Sequence, residues 1–202
     1  MTDISRPAPW YLFDYGMVVS TAPRASDWAT LEQATGLNLS LASSSYWTSR
    51  EAFDAGKLAP GEYWAEVLGR PVTPVDLDQL ERLDAAQWSH LNPQTVAVLE
   101  TLRSRRAKVA LLSNMPRGMA ERHRDGSGWV GYFSRLFFSG NLGMAKPDPR
   151  VFRYVAAELR AHPADIVFID DNAANIAAAR DLGFRTIHHT SRTDLWFELG
   201  KA

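Results

Sequence analysis

The stretch Trp10-Tyr11-Leu12-Phe13-Asp14-Tyr15-Gly16 decides the fold. An unbroken apolar and aromatic run leads straight into a carboxylate and then a glycine turn. Continuous rather than alternating hydrophobicity marks a strand covered on both faces, as in a parallel sheet. Val109–Leu112, Leu136–Phe138 and Ile166–Ile169 repeat the pattern, and Thr186–His188 is a weaker example.

Helical periodicity fills the spaces between the later runs. Thr95–Arg105 carries Val96, Leu99 and Leu102 on one face. Asp148 and Pro149 read as N-cap and first residue of a helix over Pro149–Arg160. Ala173–Leu182 stops at Gly183, a helix C-terminal signal. Strand–helix alternation of this kind predicts an α/β fold, a doubly wound, Rossmann-like parallel sheet. Residues 21–92 break the rhythm, with helix-like stretches at Asp27–Ala34, Ser44–Ala55, Pro60–Leu68 and Asp76–Ala86. The expected organisation is an α/β core of residues 1–20 and 93–202, with a small helical-bundle cap, 21–92, inserted after the first strand.

Composition excludes several classes. A chain of 202 residues, 46% hydrophobic, suits one compact core with a small satellite. Its formal net charge of -1 offers no basic field for nucleic acid. With no cysteine, thiolate metal sites and disulfides are excluded, and a reducing cytoplasm is the expected compartment. The N-terminal residues MTDISRPAPW lack a signal-peptide pattern, and no apolar run approaches the roughly 20 residues of a membrane span.

Polar groups stand where the strands end: Asp14 after the first, Ser113 and Asn114 after the second, Asp170 and Asp171 after the fourth. In a parallel sheet all carboxyl ends share one edge, so these groups converge. Lys146 follows the third strand and reaches the same edge. Clustered carboxylates repel unless a cation sits among them. Mg²⁺ fits, because it takes hard oxygen ligands and bridges carboxylates to phosphate. A lysine, a hydroxyl, amide donors and a helix starting near Pro116 add groups that favour an anion. Asp14, leaving a buried strand into a glycine turn, is the candidate nucleophile for an aspartyl-phosphate intermediate.

Four fragments in order resemble the haloacid dehalogenase-like hydrolase superfamily: Tyr11-Leu12-Phe13-Asp14-Tyr15-Gly16-Met17-Val18-Val19, Leu111-Leu112-Ser113-Asn114, Lys146-Pro147, and Ile169-Asp170-Asp171-Asn172-Ala173-Ala174-Asn175. The insert resembles the small cap of its largest subgroup. Asn141–Pro147 and Phe168–Asn172 look similar to members that dephosphorylate glucose-1-phosphate. The resemblance implies a Mg²⁺-dependent phosphatase acting on a small phosphate monoester. Asp14 would be nucleophile and metal ligand, the Gly16 carbonyl a further ligand, and Asp171 with Asp170 would complete the metal site. Ser113, Asn114 and Lys146 would hold the phosphate, and Asn175 would brace the loop.

One position departs from the pattern. Most phosphatases of this superfamily carry an aspartate two residues after the nucleophile as general acid and base; here it is Gly16. Ser20 and Thr21 are nearby hydroxyls that offer a substitute proton. Loss of the acid keeps two alternatives open, a 2-haloacid dehalogenase and a weakly catalytic phosphate-ligand binding protein. Among other tempting residues, His188 and His189 lack a partner motif, and His123 reads as solvated. Tyr46, Trp47, Arg50, Tyr63 and Trp64 read mainly as cap packing, with sugar stacking or phosphate binding as the sharper alternative.

Overall fold

The computed structural model describes residues 8–201, so most of the N-terminal stretch searched for a signal pattern lies outside it. In chain order the strands are β1 (Trp10–Phe13), β2 (Lys108–Ser113), β3 (Arg135–Phe138), β4 (Ile166–Asp170) and β5 (Arg185–His188). They form one five-stranded sheet, order β3-β2-β1-β4-β5, with every pairing parallel. The helices are α1 (Ala25–Thr35), α2 (Ser45–Thr48), α3 (Arg50–Asp54), α4 (Pro60–Leu68), α5 (Pro74–Gln87), α6 (Pro93–Ser104), α7 (Arg117–Gly126), α8 (Ser139–Leu142), α9 (Pro149–Glu158), α10 (Ala173–Asp181) and α11 (Leu195–Lys201).

The unbroken apolar strands are explained by two cores. Phe13, Val109, Leu111, Val167 and Ile169 pack into one cluster, and Leu12, Ala110, Leu112, Ile166 and Phe168 into another. Neighbouring residues therefore face opposite sides, and both sides are covered. α6, α7 and α11 contribute Leu99, Met119 and Leu199 to the first core; α9 and α10 contribute Phe152 and Ile176 to the second. The chain winds from β1 outward to β3, then returns past β1 to β4. That reversal places the ends of β1 and β4 side by side, the usual location of a site in an open α/β sheet.

The anticipated caps form. Asp148 Oδ1 accepts from Arg150 N at 2.9 Å at the start of α9, and Gly183 adopts φ +87 just past α10. α1–α5 enclose a third apolar cluster, with Leu31, Tyr46, Tyr63, Trp64 and Leu80 buried in it. The helix expected over Ser44–Ala55 is broken at Ser49, which has φ -112 and ψ 13. The two pieces are each tied to α4, since Ser45 Oγ donates to Val67 O and Ser49 Oγ to Glu66 Oε2. No described helix is long and apolar enough to cross a membrane.

Candidate active site

The five-residue turn Tyr15–Val19 follows β1 directly and is closed by Ser20 N donating to Tyr15 O at 2.8 Å. Gly16 sits at φ -60, ψ 134, and Met17 at φ +57, a left-handed conformation rare for a residue with a side chain. This turn holds Asp14 at the sheet edge, where Asp14 N donates to Ile169 O and Asp14 Oδ1 accepts from Tyr15 N at 2.7 Å.

Lys146 is 4% exposed and stands between two carboxylates, its Nζ 2.7 Å from both Asp14 Oδ1 and Asp170 Oδ2. The side-chain amide of Asn114 holds the lysine's backbone from both ends, donating to Lys146 O at 2.8 Å and accepting from Lys146 N at 2.9 Å. Asp170 is fully buried, and its oxygens also accept from Asn172 N at 2.8 Å and Asn175 Nδ2 at 3.1 Å. Helix α10 is capped by Asn172, so neither Asp170 nor Asp171 serves that purpose.

A cavity of about 220 Å³ opens beside this cluster. Asp14, Gly16, Ser113, Asn114, Lys146, Asp171 and Asn175 line it from the sheet edge, with Trp47, Arg50, Asp54 and Trp88 opposite. Asp170 is not among the lining residues, whereas Asp171 is. One carboxylate oxygen each from Asp14, Asp170 and Asp171 lies within 4.8 Å of the others. A wider groove of about 610 Å³ lies beside Thr95, His189 and Trp196, but among the described residues no such acidic cluster converges there.

The electrostatics follow from crowding. Burial pushes Asp14 above the usual carboxylate range, because Lys146 offsets it only in part and Asp170 adds repulsion. Burial and the neighbouring Asp170 raise Asp171 as well. Burial alone would lower Lys146, yet Asp14 and Asp170 overcome it and keep the ammonium charged. Three carboxyl groups share one ammonium, so acidic oxygens outnumber the cations among them. That donor set, all hard oxygen, fits a divalent cation such as Mg²⁺.

Every residue selected from the sequence for this edge is therefore brought together. Other residues behave differently. Ser20 is buried with its hydroxyl on Tyr15 O, Thr21 bonds to His90 O, and neither lines the cavity. His123, expected in solvent, is 3% exposed and packs on Tyr15 and Trp129 at ring separations of 5.2 and 5.5 Å. The glycine-rich segment after α7 folds Trp129 back over it, and burial pushes its pKa down to about 4. Tyr46, Tyr63 and Trp64 are fully buried in the third cluster, while Trp47 and Arg50 reach the cavity. Sequence reading missed Asp54 and Trp88. The Arg50/Asp54 spacing of four residues, now an ion pair at 2.8 Å, was the one available signal for Asp54.

Known proteins share this fold. A HAD family enzyme from Bacteroides thetaiotaomicron, solved with magnesium and inorganic phosphate, superposes with a TM-score of 0.75 at 20% identity, covering 95% of this chain and 98% of that one. L-2-haloacid dehalogenase from Xanthobacter autotrophicus gives a TM-score of 0.67 at 18% identity, over 96% and 83% of the two chains. In sequence, a phosphoserine phosphatase of Thermus thermophilus is 32% identical over 98 residues, 48% of this chain and 39% of the relative. A sesquiterpene phosphatase of Aspergillus oryzae is 22% identical over 74% of this chain and 76% of the relative. Several matches are partial: the stretch shared with rat bifunctional epoxide hydrolase 2 is 10% of that protein's length. The model of the haloacid dehalogenase-like hydrolase family matches residues 32–183, and the chain belongs to that family.

Proposed function

We propose that this hydrolase is a Mg²⁺-dependent phosphatase that cleaves a small phosphate monoester through an aspartyl-phosphate on Asp14. The observation that carries the reading is the convergence of Asp14, Asp170 and Asp171 around Lys146, beside a small cavity at the β1/β4 junction. Asp14, Asp171 and the Gly16 carbonyl would hold the ion. Bound there, Mg²⁺ would neutralise charge on the phosphoryl oxygens and on the carboxylates around them.

The chain's own groups divide the remaining work. Asp14 attacks in line, held by β1 and by Tyr15 N. Lys146 offers a fixed positive charge to the transferred phosphoryl group. Asp170, saturated by Lys146, Asn172 and Asn175, positions the lysine. Ser113 supplies a hydroxyl at the cavity wall, and Asn114 holds the Lys146 loop in place. Residues 21–92 act as a cap that excludes water and selects the ester. A cavity of about 220 Å³ favours a small substrate such as a sugar phosphate.

The test is a panel of phosphate monoesters with and without Mg²⁺, run beside Asp14→Asn. Mg²⁺-dependent release of inorganic phosphate that disappears in the variant is expected. Equal, slow release by both proteins overturns the reading. The glycine at position 16 favours a second one, dehalogenation, since halide leaves without a proton. Halide release that survives a strong chelator would establish it instead.

A further inference from the structure

The turn after Asp14 carries no acid, yet an alkoxide leaving group needs a proton. The opposite wall of the cavity supplies a carboxyl group. Asp54 ends α3, lines the same cavity as Asp14 and Lys146, and is mostly buried, its side chain 17% exposed. Its Oδ1 accepts from Arg50 Nε at 2.8 Å, while Oδ2 has no hydrogen-bond partner among the described residues.

The backbone that carries Asp54 is clamped to the core. Ser139 Oγ donates to Asp54 O and accepts from Met115 N at 2.8 Å, joining α3 to the loop that follows Ser113 and Asn114. Beside it the chains touch closely: a Cβ on Gly56 would lie 2.6 Å from Gly140 O. Asp54 is thereby fixed against the same loop that lines the cavity below it.

We propose that Asp54 is the general acid and base of the reaction, replacing the side chain that Gly16 lacks. The inference rests on the phosphatase reading. As Asp14 bonds to phosphorus and the ester P–O bond breaks, Oδ2–H passes its proton to the leaving oxygen, releasing an alcohol. The Asp54 carboxylate then takes a proton from water as that water bonds to phosphorus and the Asp14–phosphorus link breaks. Asp14 is regenerated and inorganic phosphate leaves.

The charges around Asp54 suit both roles. Arg50 and Glu51 share its helix, Asp84 faces it from α5, and Lys146 lies across the cavity, with Lys57 in the adjoining groove. Burial pushes Asp54 up to about 6, Arg50 pulls against this, and Asp84 adds to it. A group near that value donates and accepts protons close to neutral pH.

The experiment compares kcat/KM for alkyl and aryl phosphates in wild type, Asp54→Asn and Asp54→Asn/Gly16→Asp. Asp54→Asn should lose ~10²–10⁴-fold on alkyl esters, the usual worth of a positioned acid, and under about tenfold on nitrophenyl phosphate, which leaves unaided. Gly16→Asp should restore alkyl turnover, since residue 16 has an ordinary extended backbone and its Cβ would meet only Trp88 Cζ3, at 3.9 Å. Equal losses on both ester classes, or no loss, overturn the proposal. If Asp54→Asn fails to fold, wild type decides: a flat dependence of kcat/KM on leaving-group pKa supports the acid, and a steep one overturns it. Asp14→Asn is read separately, because aryl turnover undiminished there refutes the phosphatase reading itself, whatever Asp54 does.

Discussion

At the scale of single residues, the strongest interactions are those that neutralise buried charge. Lys146 is the clearest case. Replacing it with Met keeps the volume but strands Asp14 and Asp170 without their shared cation at 2.7 Å. Removing one partner of a buried ion pair typically costs about 3–5 kcal/mol, so Lys146→Met should lower the unfolding free energy obtained from urea titration by that much as well as abolish activity. His123 makes a second, pH-dependent prediction. Its folded pKa of about 4 lies below the 6.5 of the unfolded chain, so between these values the unfolded state binds the extra proton. The associated stability is present above pH 6.5 and is lost as pH falls toward 4. From pH 7 to 5 the loss attributable to this group is about 2 kcal/mol. His123→Phe keeps ring contact with Tyr15 and Trp129 while removing Nε2, which is buried without a partner among the described residues. Urea titrations at the two pH values should show a correspondingly smaller drop in the variant.

At the scale of elements, legibility in the sequence depends on what sets each element's position. Asp14, Asp170 and Asp171 were readable because they end or directly follow buried strands, and a parallel sheet gathers strand ends at one edge whatever lies between them. Lys146 lies beyond α8 and was readable from the Lys146-Pro147 fragment instead. Asp54 and Trp88 were not readable. Asp54 ends α3 and Trp88 follows α5, both outside the sheet, where no pairing rule converts sequence separation into distance. The solvated reading of His123 failed for a related reason, since its burial depends on Trp129 folding back from a separate short helical turn. The clamp between α3 and α8 belongs to the same class, visible only once both elements are placed. A Cβ at Gly140 would lie 2.5 Å from Arg117 N and 2.8 Å from Met115 O, backbone atoms at the start of α7. Those atoms cannot swing aside as a flexible side chain would. Gly140→Ala should therefore destabilise the fold by about 1–3 kcal/mol, the range for overpacking a rigid site, whereas Gly143→Ala meets no such neighbour. Gly143 sits at φ +69, so its substitution tests backbone strain alone, and comparing the two thermal midpoints separates contact from conformation.

For the whole molecule, the winding order ties stability to function. Because the chain reverses between β3 and β4, Asp14 and the Asp170-Asp171 pair end on adjacent strands, and their repulsion is built into the core rather than the surface. The two apolar cores on either side of the sheet hold this arrangement in place despite it. A cation that binds only the folded chain should then return stability through mass action, about 2.7 kcal/mol when its concentration is 100 times its dissociation constant. For a domain of this size that corresponds to a thermal midpoint shift of roughly 5–10 °C. Asp171→Asn tests the coupling, since Asp171 lines the cavity while Asp170 is already saturated by Lys146, Asn172 and Asn175. Without metal the variant should melt above wild type, because one repelling charge is gone. With Mg²⁺ the order should reverse, as wild type gains the shift and the variant does not. Scanning calorimetry with and without Mg²⁺ checks both halves, and a Mg²⁺ shift of equal size in the two proteins would place the ion away from Asp171.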